Sequence, residues 1–504
     1  MFLVFFVPSC LIFTVPFKNS ERIKMKKTCI IDERFSLIRD VINAKLIETA
    51  TPSLAIAVAQ DGIILWEEAF GWADREKMLS ANVNTMYSLA SISKPITATG
   101  LMILKERGLI DLDKPINNYL GEAKLKAFVG NTEDATIRRV LNHTSGLPLH
   151  YHFFYEDEPY PKPPMDETIR RYGNLVTASG ERYQYSNLGY GILDYIISRV
   201  SGRSYEDFMR TEVFLPLDMT HSSVHIDNGL KKYQAIRYDN DGLRIPFYDF
   251  DHPGGSAIYN SVHDLIRFGM FHLKAHLPNQ KAILSDEAID DMKVGTAESG
   301  NDSYYGIGWA SRDDSNGYRA VWHGGGMSGV STTLMLFPDE KIAVAVLANS
   351  SSPLPDMIYK DILSALLPKY AENRAIREAT QKSERNQQPI DYTPSPELIG
   401  EWNGRVHTYK GDIPVTFWFK ECGDVVVKMG DQFKTLLNDP IFRDEYLTGL
   451  MTGEINTEDV NRRHYHLSLT MKLRDQVLNG SLTAVSNIGK RGNGLSHWIE
   501  ITKK

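Results

Sequence analysis

The spacing of apolar residues changes period along this chain, and the changes divide it into segments. Phe35, Ile38, Ile42 and Leu46 recur at helical intervals, which predicts an amphipathic helix with Asp32 as its cap. Two extended apolar runs, Ser53 to Gln60 and Ile63 to Phe70, flank Asp61-Gly62, so a hairpin is expected there. Further helices are predicted through Ile96 to Leu104, over Ile137 to Leu141, and through Leu188, Ile192, Ile196 and Val200 to a stop at Ser201-Gly202. Two more follow, one capped by Ser261 and carrying Val262, Leu265, Ile266 and Leu273, the other over Asp356 to Leu367. Thr332 to Phe337 leads through the turn Pro338-Asp339-Glu340-Lys341 into Ile342 to Ala348, a strand of buried type.

Three stretches fit neither period. Tyr151-His152-Phe153-Phe154-Tyr155-Glu156-Asp157-Glu158 runs into Pro159, Pro161, Pro163 and Pro164, and reads either as a pocket wall or as a loop packed on its own side chains. Gly254-Gly255-Ser256 reads as a structural bend. Trp322-His323-Gly324-Gly325-Gly326-Met327-Ser328-Gly329 places glycines beside a strand, which marks either close approach by another group or a tight turn.

From Lys369 to Pro396 the chain turns charged and polar, a helical tail and then a linker. Beyond it the period becomes two, through Val415, Phe417 and Phe419, then Val425 and Val427, then Tyr465, Leu467, Leu469, Met471 and Leu473. Asn479-Gly480 is expected to turn the chain into Leu482 and Val485. The expected organisation is a leader or upstream extension over 1–27, an α/β domain over 28–370, a helical tail and linker over 371–396, and an all-β barrel or sandwich over 397–504.

Composition narrows the function. A 504-residue chain with 42% hydrophobic and 24% charged residues has the content of a globular protein with more than one domain. Its net charge of -7, without long basic runs, argues against nucleic acid as a partner and for a small-molecule or peptide substrate. Met1 to Phe17 is almost wholly apolar, yet it lacks a basic lead and is interrupted by Pro8 and Pro16. With Met25-Lys26-Lys27 as an alternative start the protein would be cytoplasmic; with the apolar segment retained it would be exported or membrane-anchored. Cys10, Cys29 and Cys422 have no metal-ligand spacing, and no metal or organic cofactor is expected.

The candidate chemistry starts at Ser91-Ile92-Ser93-Lys94. Three residues apart on a helix, the hydroxyl and the amine share one face. Pro95 belongs in a first turn, so Ser91 is expected at a helix N-terminus, where unpaired N–H groups favour developing negative charge. Chance alone would give about two Ser-x-x-Lys runs in a chain of this length, and taken alone the stretch is better explained by a capping serine beside a solvated lysine. Tyr185-Ser186-Asn187 stands before the Leu188 helix, but Tyr172-Gly173-Asn174 and Tyr238-Asp239-Asn240 share its pattern.

The three motifs together, Ser91-Ile92-Ser93-Lys94, Tyr185-Ser186-Asn187 and His323-Gly324-Gly325, resemble in order and separation those of the penicillin-recognising serine hydrolases. The branch is that of class C β-lactamases, DD-peptidases, D-aminopeptidases and CubicO-type esterases. Asn142-His143-Thr144-Ser145-Gly146-Leu147 is similar to a further stretch common there. The resemblance implies an α+β domain of antiparallel sheet and helices, with Ser91 as nucleophile and Lys94 and Tyr185 as general base and acid. It further implies that Asn187, His323 and Gly325 contact substrate, and that the Ser91 and Gly326 N–H groups form the oxyanion hole. Residues 397–504, opening on Gly400-Glu401-Trp402, resemble the lipocalin-like barrels that follow some members, which implies a homo-oligomer contact or a limit on access. The implied substrate is a small ester, amide or short peptide. His323-Gly324-Gly325 stands where β-lactamases commonly have Lys-Thr-Gly; the histidine keeps a donor but Gly324 has no hydroxyl for a substrate carboxylate, which favours an esterase or aminopeptidase over the alternatives of a β-lactamase, a DD-carboxypeptidase or a penicillin-binding or ligand-binding protein without turnover. Glu156-Asp157-Glu158 reads as attraction for a substrate amine or as a solvated acidic loop.

Overall fold

The computed structural model describes residues 33–384, 394–486 and 491–504. Asp32, Cys10, Cys29 and the 1–27 leader lie outside the described residues. Among those described, no helix is long and apolar enough to cross a membrane.

A nine-stranded antiparallel sheet carries the first part of the molecule. Its centre is built from Ala320–Met327, Val330–Phe337, Ile342–Ala348, Ser53–Gln60 and Ile63–Asp74, in that order. Ser53–Gln60 is buried on both faces, and residue size tells the faces apart. Leu54, Ile56 and Val58 meet the helices Ser36–Glu48 and Leu354–Leu366, whereas Ala55, Ala57 and Ala59 join the opposite core layer. Helix Val262–His272 lies on that alanine face, where a Cβ on Gly269 would already be 3.1 Å from Leu336. The Asp61-Gly62 hairpin forms as expected, both residues having positive φ (49° and 77°).

On the same side as the alanines stands the helical region. Ser93–Glu106 is buried continuously from Ser93 to Leu104 and contacts Asn187–Ser201. Ser186 caps the latter by accepting from Gly189 N–H, and Gly202 ends it with φ 69°. The short helix Ile137–Leu141 and the Ser261-capped helix also form where the apolar spacing predicts them.

The C-terminal part is a nearly closed antiparallel barrel. Its strands run from Thr435–Leu436 through Gly400–Thr408 and Asn493–Lys503 to Asn438–Arg443, so the first and last lie next to each other in sequence. Val415, Phe417, Phe419, Leu467, Leu469 and Met471 point inward as alternation requires. Asn479-Gly480 is not a turn: both sit inside strand Val477–Ser486, with Gly480 opposite Met471 and Ile499. The chain reverses earlier, at Asp475-Gln476, whose φ values are 45° and 64°. Glycine at 480 serves close strand approach, because a Cβ there would lie 2.2 Å from Thr470 O.

The aromatic stretch is a strand, Tyr151–Tyr155. It pairs on one side with Tyr248–Phe250 and on the other with Asn493-Gly494 of the barrel. Of the acidic residues after it, Glu156 and Asp157 are exposed and Glu158 is partly buried. Glu158 pairs with Arg463 (2.6 Å) and Arg491 (2.7 Å) of the barrel, and Asp157 pairs with Arg491. Asp157 and Glu158 are therefore already paired within the protein, which removes the ground for expecting these two to attract a substrate amine, while Glu156 accepts Phe247 N–H at 3.0 Å.

Candidate active site

Ser91 lies in a short 3₁₀ turn, Ala90–Ile92, at the entrance of helix Ser93–Glu106. Ala90 before it has φ 49°, a conformation that an L-residue adopts only under constraint. The constraint is visible on both sides. Leu89 N–H donates to Ile258 O, and Leu89 O accepts from Thr332 Oγ1 at 2.8 Å. The next residues turn the chain into the helix and bring Lys94 round to Ser91.

Lys94 is fully buried (0% exposed), with Nζ 3.2 Å from Ser91 Oγ, 2.8 Å from Asn187 Oδ1 and 3.0 Å from Gly255 O. Nζ also lies 4.6 Å from the centre of the Tyr185 ring. No carboxylate pairs with it among the described residues, and burial holds its pKa well below the ordinary lysine value. Burial likewise raises the Tyr185 phenol, while its hydrogen bond with Ser91 acts in the opposite direction. The first two motifs thus converge on one hydroxyl.

The third motif lies within strand Ala320–Met327 rather than beside one. Gly325 fits there because a Cβ would meet Leu89 O at 2.1 Å and Thr332 Oγ1 at 2.2 Å. Gly326 has open space and lines the cavity with Ser91. His323 is buried and occupied on both sides, with Nδ1 2.7 Å from Gly324 O and Nε2 2.9 Å from Tyr305 Oη. A carbonyl only accepts, so Nδ1–H is used inside the protein and Nε2 accepts from the tyrosine. The donor expected for substrate is therefore not on offer in this arrangement. Burial lowers its pKa to about 3, so the ring is neutral.

Several residues of the site carry no side-chain signature in the sequence. Gly255 contributes only a carbonyl, and its stretch reads as a bend. His143, with φ 62°, accepts Ser186 N–H on Nδ1 at 3.2 Å, and its ring lies 4.4 Å from that of Tyr185. The Asn142-His143-Thr144-Ser145-Gly146-Leu147 stretch thus holds the second motif. His252 and the wall formed by Leu149, Tyr151 and Phe153 complete a cavity of about 190 Å³ around Ser91, Tyr185 and Asn187. The aromatic stretch is accordingly a pocket wall. Among the described residues, no three His, Cys, Asp or Glu side chains are grouped to hold a metal ion.

Residues 38–369 match the family described as Beta-lactamase. Penicillin-binding protein 4* of Bacillus subtilis (strain 168) is 29% identical over 321 residues, which cover 58% of this chain and 67% of that protein. Protein flp of Staphylococcus aureus (strain MRSA252) is 26% identical over 322 residues, 62% of this chain and 63% of the relative's own length. Among solved structures, the octameric penicillin-binding protein homologue from Pyrococcus abyssi covers 92% of this chain and 99% of its own, with TM-score 0.59 and 25% identity. A class C beta-lactamase shares the fold over 67% of this chain and 97% of its own, with TM-score 0.58 and 19% identity.

Proposed function

The chain belongs to the beta-lactamase family of serine hydrolases, and on that premise we propose that it cleaves an ester or amide bond through a covalent acyl intermediate on Ser91. The observation that carries this reading is the placement of Lys94. Two of its neighbours, Asn187 Oδ1 and Gly255 O, are acceptors, so they take two N–H bonds of a neutral amine. The remaining position faces Ser91 Oγ at 3.2 Å. In the neutral amine that position is a lone pair, into which the Ser91 O–H donates, and a serine so placed is an activated nucleophile.

Attack on the substrate carbonyl moves the Ser91 proton to Lys94, and the developing oxyanion is received by the N–H groups of Ser91 and Gly326, each worth about a hundred- to a thousandfold in rate. Tyr185 delivers a proton to the leaving oxygen or nitrogen and regains one through Lys94. Asn187 orients the amine. Gly324 supplies no hydroxyl for a substrate carboxylate, and His323 is occupied by Tyr305 and its neighbouring carbonyl. Both support an esterase or an aminopeptidase-like enzyme over a β-lactamase or DD-carboxypeptidase. The small cavity supports a compact acyl group. The octameric state of the Pyrococcus abyssi relative supports a homo-oligomer here, with the barrel as the contact, to be read by light scattering on an eluting peak.

Intact-mass labelling with a fluorophosphonate and turnover of p-nitrophenyl esters test the assignment. The adduct is expected on Ser91, and Ser91→Ala and Tyr185→Phe are each expected to abolish turnover in folded protein. A folded natural protein that neither labels nor turns over would mean a fold without this chemistry. A panel of esters, D-amino-acid amides and nitrocefin then ranks substrates.

A further inference from the structure

His252 shares the Ser91 cavity, although it belongs to none of the three motifs. Its side chain is fully buried, with Nδ1 2.6 Å from Asp251 Oδ1. The other oxygen of Asp251 lies 2.7 Å from His150 Nε2. Burial alone would raise the Asp251 carboxyl, but the two imidazoles outweigh it and keep the group ionised. An ionised carboxylate only accepts, so Asp251 fixes the proton on His252 Nδ1 and leaves Nε2 with a bare lone pair. That Nε2 is buried and has no hydrogen-bond partner in the structure. A buried acceptor without a partner calls for a donor from water or a bound molecule.

The position is tied to the reacting centre through Gly255. Its carbonyl receives Lys94 Nζ, and a Cβ on the same glycine would lie 3.3 Å from His252 Cδ2. The cavity they border, about 190 Å³, has room for a compact acyl group and very few waters. Hydrolysis of an acyl-serine needs a base on the side of the water and an acid on the side of the leaving serine oxygen. Lys94 is held against Ser91 Oγ, on the acid side.

Resting on the reading that Ser91 is acylated, we propose that His252 is the catalytic base that takes a proton from the water attacking the acyl-enzyme. As the water oxygen bonds to the acyl carbon, one of its protons passes to His252 Nε2, and Asp251 stabilises the imidazolium. Collapse breaks the bond from the acyl carbon to Ser91 Oγ, which takes a proton from Tyr185. Lys94 and solvent return the proton held by His252 to the tyrosine, and the carboxylic acid leaves.

The test follows p-nitrophenyl ester turnover in the pre-steady state, together with intact mass, for the natural protein and for His252→Gln, His252→Phe and Asp251→Asn. In the folded His252 variants a burst of p-nitrophenol equal to the enzyme concentration is expected, followed by steady turnover lowered about 10²- to 10⁴-fold. Acyl-Ser91 should accumulate in the mass spectrum, and hydroxylamine, a nucleophile that needs less help from a base, should speed its release. Asp251→Asn should slow the same step by a smaller factor. Folded variants that deacylate at the natural rate, or that lose the burst itself, would overturn the proposal. Failure of the natural protein to acylate at all would instead overturn the Ser91 assignment on which the proposal rests.

Discussion

A buried amine without a carboxylate partner is held more easily neutral than charged, and Lys94 is in that position. Burial lowers its pKa, so the neutral, basic form persists to lower pH than for an exposed lysine. The expected profile of kcat/KM for an ester therefore rises with pH as Lys94 loses its proton, with a midpoint well below the ordinary value of about 10.4; a midpoint at the ordinary value would exclude Lys94 as the base. Lys94→Arg keeps the charge but cannot give up the proton, and is expected to lower kcat/KM by about a thousandfold or more. Gly325→Ala acts through contact instead. Its Cβ would meet Leu89 O, directly before Ala90 and Ser91, so it is expected to lower stability by about 1–3 kcal/mol and slow fluorophosphonate labelling. A melt and a labelling time course read both. Ser91, Lys94 and Tyr185, which the structure brings together, were legible because each sits in a spaced side-chain motif. Gly255 was not, since a carbonyl is common to every residue, and His252 shows its relevance only where Asp251 and the cavity meet it.

At the scale of elements, period decides what is legible. The helices over Phe35 to Leu46, Ile137 to Leu141 and Leu188 to Val200 form where apolar residues step by three or four, and the inner face of the barrel follows strict alternation. Local turn signals are weaker than a strand ladder. Asn479-Gly480 looks like a hairpin turn, yet pairing with Met471 and Ile499 on either side holds Gly480 in a strand. Gly480→Val is therefore expected to lower stability by about 1–3 kcal/mol or more. Gln476→Gly, at the real turn with φ 64°, is expected to raise stability by about 1 kcal/mol. Chemical denaturation of the two variants checks the opposed signs; equal signs would mean that the register differs.

Across the whole molecule, barrel and hydrolase part meet through buried and part-buried polar contacts as well as apolar ones. Glu158 lies between Arg463 and Arg491, Tyr172 bonds Asp459, and Tyr446 Oη donates to Glu181 at 2.7 Å. The Arg463 side chain is only 9% exposed, so removing its partner leaves a charge that water reaches poorly. Glu158→Ala is expected to cost about 3 kcal/mol. It should also separate thermal unfolding into two transitions, which calorimetry would resolve; a single unshifted transition would show that the pairs contribute little. None of this docking was legible in the sequence, because charges far apart in the chain carry no mark of which partner they find.

Strand Tyr151–Tyr155 bonds to the barrel through Asn493-Gly494 and places Tyr151 and Phe153 in the cavity that Ser91 lines. Such a strand cannot be inherited by halves. Recombination that exchanged the C-terminal segment for a relative's would exchange the ladder that fixes this wall, so substrate choice would travel with a segment that holds none of the three motifs. Lineages that keep the serine, lysine and tyrosine unchanged can then diverge in what they accept by drift in the barrel alone.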